Sequence, residues 1–144
     1  MPNQNELTKG RILVLQVVLD GEFQLVAQME TNGAVYSLNA FNGKLLAAIN
    51  QNIQLYKWAS CEFGRGGKLQ PECLYHGRVL SLYVRTRGDF IGVGDLVMCI
   101  VLLICKQDKE EYVIEQLAYH SATNWMSAVE ILSEMTFTLV LEPT

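Results

Sequence analysis

A chain of 144 residues fits one ordinary domain, and with 50% hydrophobic and 18% charged residues it has the composition of a protein that buries a core, not of a disordered tail. The formal net charge of -4 argues against direct nucleic-acid binding, which needs clustered cations; the nearest thing to a cluster here is Arg85 with Arg87. Cys61, Cys73, Cys99 and Cys105 form no CxxC, and neither His76 nor His120 stands at a metal-finger spacing, so no metal site and no other cofactor is expected.

In chain order, the opening "MPNQNELTKG" is polar and lacks the apolar core of a signal peptide. The cysteines are therefore expected to be reduced, mostly buried thiols of an intracellular protein. "RILVLQV" follows as a strand, and Asp20-Gly21 is a hairpin turn signal. In "EFQLVAQME" the apolar Phe23, Leu25, Ala27 and Met29 alternate with polar residues, broken only by Val26. That period of two marks an outer strand with one wet face.

Three short runs come next, "AVYSL", "KLLAAI" and "NIQLYKW", the first two joined by Asn42-Gly43, a two-residue turn signal. "CEFGRGGKLQPEC" (Cys61 to Cys73) reads as a longer loop that gives way to an outer strand near Leu69. "RVLSLYV", "DFIGVG" and "CIVLLIC" are again nearly all apolar, as strands covered on both faces are. The run "LVMCIVLLIC" would span only about 15 Å as a helix, half of a ~30 Å hydrocarbon core, so it is read as a buried strand and no membrane partner is expected. "KEEYVIEQLAYH" takes the outer-strand place. "NWMSAVEILSEM" reads as a strand too, although Trp125, Ala128, Val129 and Leu132 would share one face of a short helix.

These runs repeat. Gly33 is answered by Gly77 at an offset of 44, Gly43 by Gly88 at 45, and Ser81 by Ser127 at 46. Ile12, Ile53 and Ile100 open corresponding third strands. A period of about 44 residues made only of short strands is that of propeller blades with four strands each. A four-stranded sheet cannot bury both faces alone, and radial stacking buries them between neighbours. The expected fold is all-β: a single incomplete β-propeller domain over residues 1–144, with repeats starting near 33, 77 and 124 and roughly three blades of four-stranded antiparallel sheet. A closed ring takes about four to eight blades, so unpaired, sticky margins are expected.

Chemistry is scarce. No GxSxG, HExxH or P-loop is present, and the glycine pair of "GVGD" is read as close backbone packing. His76 and His120 precede matching strands and are read as turn-bonding residues, with no nucleophile placed beside them. No enzyme activity and no small-molecule substrate are expected. What remains is surface: Leu80 and Tyr83 on one strand, and Trp125 after the polar turn "HSATN", are either packed between blades or exposed as interface anchors.

"KGRILVLQV", "NGAVYSLNAFNGKLLAAINQNIQLYKW", "GRVLSLYVRTRGDFIGVGDL" and "NWMSAVEIL" resemble the third propeller of the family of UV-damaged DNA-binding protein large subunits, in wording closest to plant forms. The same superfamily holds large subunits of the mRNA cleavage and polyadenylation factor and of a splicing complex. The resemblance implies a non-catalytic nuclear adaptor, found also in the cytoplasm. Such an adaptor links WD40-type substrate receptors to a cullin-4-type ubiquitin ligase. The partners implied are those receptors or the remaining propeller blades. The matching receptor-facing positions are Leu80, Leu82, Tyr83 and Trp125, with Met98 standing where the family carries an arginine on the same face. The alternatives are a nucleic-acid-associated superfamily member and a truncated copy with no independent function.

Overall fold

The computed structural model describes residues 9–61, 66–77, 81–95, 99–121, 126–133 and 136–141. Among them are β1 (Gly10–Val17), β2 (Phe23–Thr31), β3 (Val35–Phe41), β4 (Lys44–Ile49), β5 (Asn52–Ser60) and β6 (Gly67–His76). The chain continues with β7 (Ser81–Arg87), β8 (Phe90–Asp95), β9 (Cys99–Asp108), β10 (Glu111–Ser121), β11 (Met126–Ser133) and β12 (Thr136–Leu141). No described residue is helical, and the stretch that could also be read as a helix is strand β11.

The strands pair antiparallel in four sheets. Two are complete four-stranded meanders, β3-β4-β5-β6 and β7-β8-β9-β10, and two are two-stranded, β1-β2 and β11-β12. The sheets stack face to face. The first strands β3, β7 and β11 contact one another in series along one side of the stack, and the fourth strands β2, β6 and β10 do so along the other. Inner strands against inner strands and outer against outer is the radial arrangement of blades. The described residues form a partial β-propeller: two full blades, the third and fourth strands of a blade before them and the first and second strands of a blade after them.

Turn chemistry explains most of the joints. Asn42 (φ 47°) and Gly43 (φ 79°) are both left-handed, as a two-residue turn of matching twist requires. Asp20-Gly21 differs from the expected two-residue loop. Gly21 N–H donates to the Val18 carbonyl and Val18 N–H to the Glu22 carbonyl, each at 2.9 Å, so Leu19 joins the loop and only Gly21 is left-handed.

The break at Val26 in the outer-strand pattern also has a structural counterpart. The β1-β2 register passes from Val14↔Ala27 to Leu15↔Leu25 and skips Val26. The other fourth strands skip Glu72 and Leu117 in the same way, at spacings of 46 and 45 residues. The first strands skip Tyr36, Leu82 and Ser127, again 46 and 45 apart. An extra residue bends a strand and raises its twist. These skipped residues make Leu82 the counterpart of Tyr36, an offset of 46, where the match of Gly33 with Gly77 at 44 would give Leu80.

Three apolar layers lie between the four sheets. Leu46, Ile53 and Leu55 of the first full blade meet Val84, Ile91 and Leu103 of the second, all six essentially without solvent contact. Ile12 packs with Ala47 and Tyr56 beneath Met29 and Val35. Ile100 and Val129, with Tyr83 against them, join the second blade to β11. Each fully buried aliphatic side chain contributes about 1.5–3 kcal/mol, so the inter-blade seams hold most of the apolar stabilisation. The cysteines are less buried than expected: only Cys105 is buried, Cys73 and Cys99 are half-buried and Cys61 is exposed.

Candidate functional site

Of the five expected partner-facing residues the structure describes Leu82 and Tyr83, near the start of β7, at the end of the sheets where a fourth strand hands over to the next first strand. That end is built on Asn50, a left-handed residue (φ 52°) in the β4-β5 turn. Its side-chain Oδ1 accepts the Ala34 N–H at 3.0 Å, and its own N–H donates to the Ala34 carbonyl at 3.0 Å. The Asn50 carbonyl accepts the Ser81 N–H at 3.0 Å, and the Gln51 carbonyl accepts the Gly77 N–H at 2.9 Å. One turn thus fixes the crossover into its own blade and the crossover into the next. Gly33 is required beneath it, because a Cβ there would stand 2.4 Å from Asn50 Nδ2. In the second blade Asp95 Oδ1 accepts the Cys99 N–H at 3.0 Å.

These bonds set the start of β7, and with it two of the five expected residues. Leu82 is the skipped residue of the β7-β8 register and is half-buried. Tyr83 is half-buried as well and packs against Ile100 and Val129, in the seam towards β11. Leu80, Met98 and Trp125 lie outside the described residues. Beside Ser81, between the two full blades, an opening of about 690 Å³ is lined by Ile53, Tyr75, Val93, Asp95 and Tyr119 among others.

Polar contacts that sequence reasoning missed fasten the blades at the opposite end. Asn39 Nδ2 donates to the Val84 carbonyl at 3.0 Å, while Thr86 Oγ1 donates to Asn39 Oδ1 at 2.8 Å. Asn42 Nδ2 donates to Asp89 Oδ1 at 2.9 Å. Lys44 Nζ pairs with Glu72, the skipped residue of β6, and lies 3.9 Å from the centroid of the Tyr112 ring of the next blade. Burial alone would lower the Lys44 pKa, but the bonds to Glu72 and Tyr112 outweigh it and hold the ammonium above its ordinary range. Burial pushes the Tyr56 hydroxyl and the Cys73 thiol upwards, and the Cys105 thiol to about 11. Among the described residues no group of three or more His, Cys, Asp or Glu could hold a metal ion.

Among the described residues, β1 and β2 carry an exposed apolar face. Leu13, Leu15 and Val17 of β1 and Phe23 and Leu25 of β2 are all at least half exposed. The register places Leu15 opposite Leu25 and Val17 opposite Phe23, so they form one face of the β1-β2 sheet; Ile12 and Met29 belong to the layer on the first full blade. Tyr36 and Leu38 of β3 are exposed too. The alternation of "RILVLQV" and "EFQLVAQME" carried this signal, but a sequence alone does not say which apolar face lacks a cover.

A family model described as the CPSF A subunit region matches residues 1–142. The chain belongs to that family. It is 65% identical over 134 residues to DNA damage-binding protein 1 of Solanum lycopersicum. Over the same length it is 61% identical to DNA damage-binding protein 1a of Arabidopsis thaliana and 60% identical to DNA damage-binding protein 1 of Oryza sativa subsp. japonica. Each alignment covers 93% of this chain and 12% of the relative, so the chain spans only a small part of the length of these relatives. The resemblance to this family in its plant form is borne out.

Proposed function

We propose that this chain is a non-catalytic protein-interaction module: a segment of propeller wall in an adaptor that joins WD40-type substrate receptors to a cullin-4-type ubiquitin ligase in the nucleus, in a DNA-damage context. The observation that carries this reading is the 60–65% identity to plant DNA damage-binding proteins 1 across nearly the whole chain. The architecture supports it. Stacked blades form a wall of packed sheets, an architecture that can serve as a docking surface.

The receptor-facing residues proposed are Leu80, Leu82, Tyr83, Met98 and Trp125. Of these, Leu82 and Tyr83 stand near the start of β7, beside the turn organised by Asn50. Aromatic anchors carry much of the energy of such interfaces. An acidic net charge of -4 favours a protein partner over a phosphate backbone.

The test is co-purification of the tagged chain with WD40-type receptors from plant nuclear extract. Retention should fall at least tenfold for Tyr83→Ala combined with Trp125→Ala, while the far-ultraviolet circular dichroism keeps its strand signature. Retention on heparin or single-stranded DNA that falls steeply with salt, with receptor capture unchanged in the double variant, would overturn the reading.

A further inference from the structure

A hydrogen-bonded belt crosses three blades at the end where Leu82 and Tyr83 stand. It starts at buried Thr31, the last residue of β2, whose Oγ1 donates to the Gly33 carbonyl at 2.7 Å. Ala34, next in the chain, is held twice by Asn50. Ala34 N–H donates to Asn50 Oδ1 and Asn50 N–H to the Ala34 carbonyl, each at 3.0 Å. The Asn50 carbonyl then accepts the N–H of Ser81, the first residue of β7, at 3.0 Å. All of these groups lie in the stretch from β2 to β7. We propose that Asn50 is a positioning residue for partner recognition: it contacts no partner, and its left-handed turn sets the direction of Leu82 and Tyr83. The inference rests on the proposed function above and names what supports that surface.

Leu82 needs such support. It is the residue skipped between the pairs Ser81↔Asp95 and Tyr83↔Gly94. A skipped residue has no cross-strand partner to fix it, so its direction follows from how its two neighbours are held. Tyr83 is held from the following blade, where it packs against Ile100 and Val129. Ser81, 4% exposed, is held from the preceding blade, by the Asn50 carbonyl. Asn50 is thus one of two clamps on the start of β7.

Few residues can serve at this position. The carbonyl is aimed at Ser81 with residue 50 at φ 52°, a backbone region that Asn, Asp and Gly adopt far more readily than Ala. The side chain adds the acceptor for Ala34, which Asp also supplies and Ala does not. Gly33 gives access to the same turn from a second side. A Cβ there would stand 2.4 Å from Asn50 Nδ2 and force the turn to shift.

The test follows two readings on the whole 144-residue chain: amide exchange of Ser81 relative to Leu55 in the core, and retention of WD40-type receptors. In Asn50→Ala, Ser81 exchange should rise and receptor retention fall, each by about five- to tenfold, the worth of roughly one ordinary hydrogen bond. Asn50→Asp keeps the backbone region and the acceptor, and should stay within about twofold of the unmodified chain in both readings. Gly33→Ala should reproduce Asn50→Ala, and the two together should do little more than either alone, because both act on one turn. Should Asn50→Ala not fold, Gly33→Ala carries the test. Asn39→Ala loosens the same pair of blades at the opposite end and should leave both readings unchanged, which separates positioning from loss of stability. Full receptor retention in Asn50→Ala, an Asn50→Asp chain as weak as Asn50→Ala, or equal receptor loss in Asn39→Ala would each overturn the inference while the proposed function stands. An unmodified chain that retains no receptor would overturn the proposed function, and this inference with it.

Discussion

Asn39 and Thr86 stand on the inner strands of successive blades, 47 residues apart, and touch only if the two sheets stack in the observed register. Replacing Asn39 by Ala removes its bond to the Val84 carbonyl and the bond it accepts from Thr86. Neither former partner is stranded. Arg85 Nη1 also donates to the Val84 carbonyl at 3.0 Å, and Thr86 Oγ1 also reaches the Ala40 carbonyl at 3.0 Å. The full penalty of a buried orphan is thus avoided, and the loss is that of two ordinary bonds, about 2 kcal/mol in all. Thr86→Val should cost about 1 kcal/mol and the double variant about 2 kcal/mol, leaving a coupling of about 1 kcal/mol. Urea unfolding followed by tryptophan fluorescence measures all four corners of the cycle. A coupling below about 0.3 kcal/mol is what distant sites give, and it would show that these blades do not pack in this register.

Lys44→Met removes the cation from both Glu72 and the Tyr112 ring and should cost about 2–4 kcal/mol, much of it from the carboxylate left behind; adding Glu72→Gln should recover at least half, again by urea midpoint. Lys109 (φ 49°) and Glu110 (φ 73°) form the β9-β10 turn in a backbone region that suits Asn and Gly, so Lys109→Asn with Glu110→Gly should stabilise the chain by about 1–2 kcal/mol. Cys105 keeps its proton up to about 11 when folded, against an ordinary 9.0, so between those pH values the unfolded chain binds fewer protons and stability falls as pH rises. That loss is on the order of 2 kcal/mol, and it should be absent from the pH profile of Cys105→Ala relative to the unmodified chain. With a thiol reagent at pH 8, exposed Cys61 should react first and buried Cys105 only on unfolding.

The sequence determined by itself everything whose cause is local. Alternation in "EFQLVAQME" placed an outer strand, Asn42-Gly43 placed a turn that must be left-handed twice, and the return of Ile12 at Ile53 and Ile100 placed a buried position in successive blades. Even the defect at Val26 was visible as a broken alternation, though not as the strand irregularity it marks. Tertiary structure alone decided what depends on which sheet faces which. Lys44 finds Tyr112 at a separation of 68 residues, Asn50 ties two crossovers, and Tyr83 turns into a seam, because rigid sheets stack and bring these groups together. It also decided that Leu15 and Leu25, alternating like any core pair, face outwards. A strand's pattern says that one face must be covered, and only the stacking of neighbours determines whether it is.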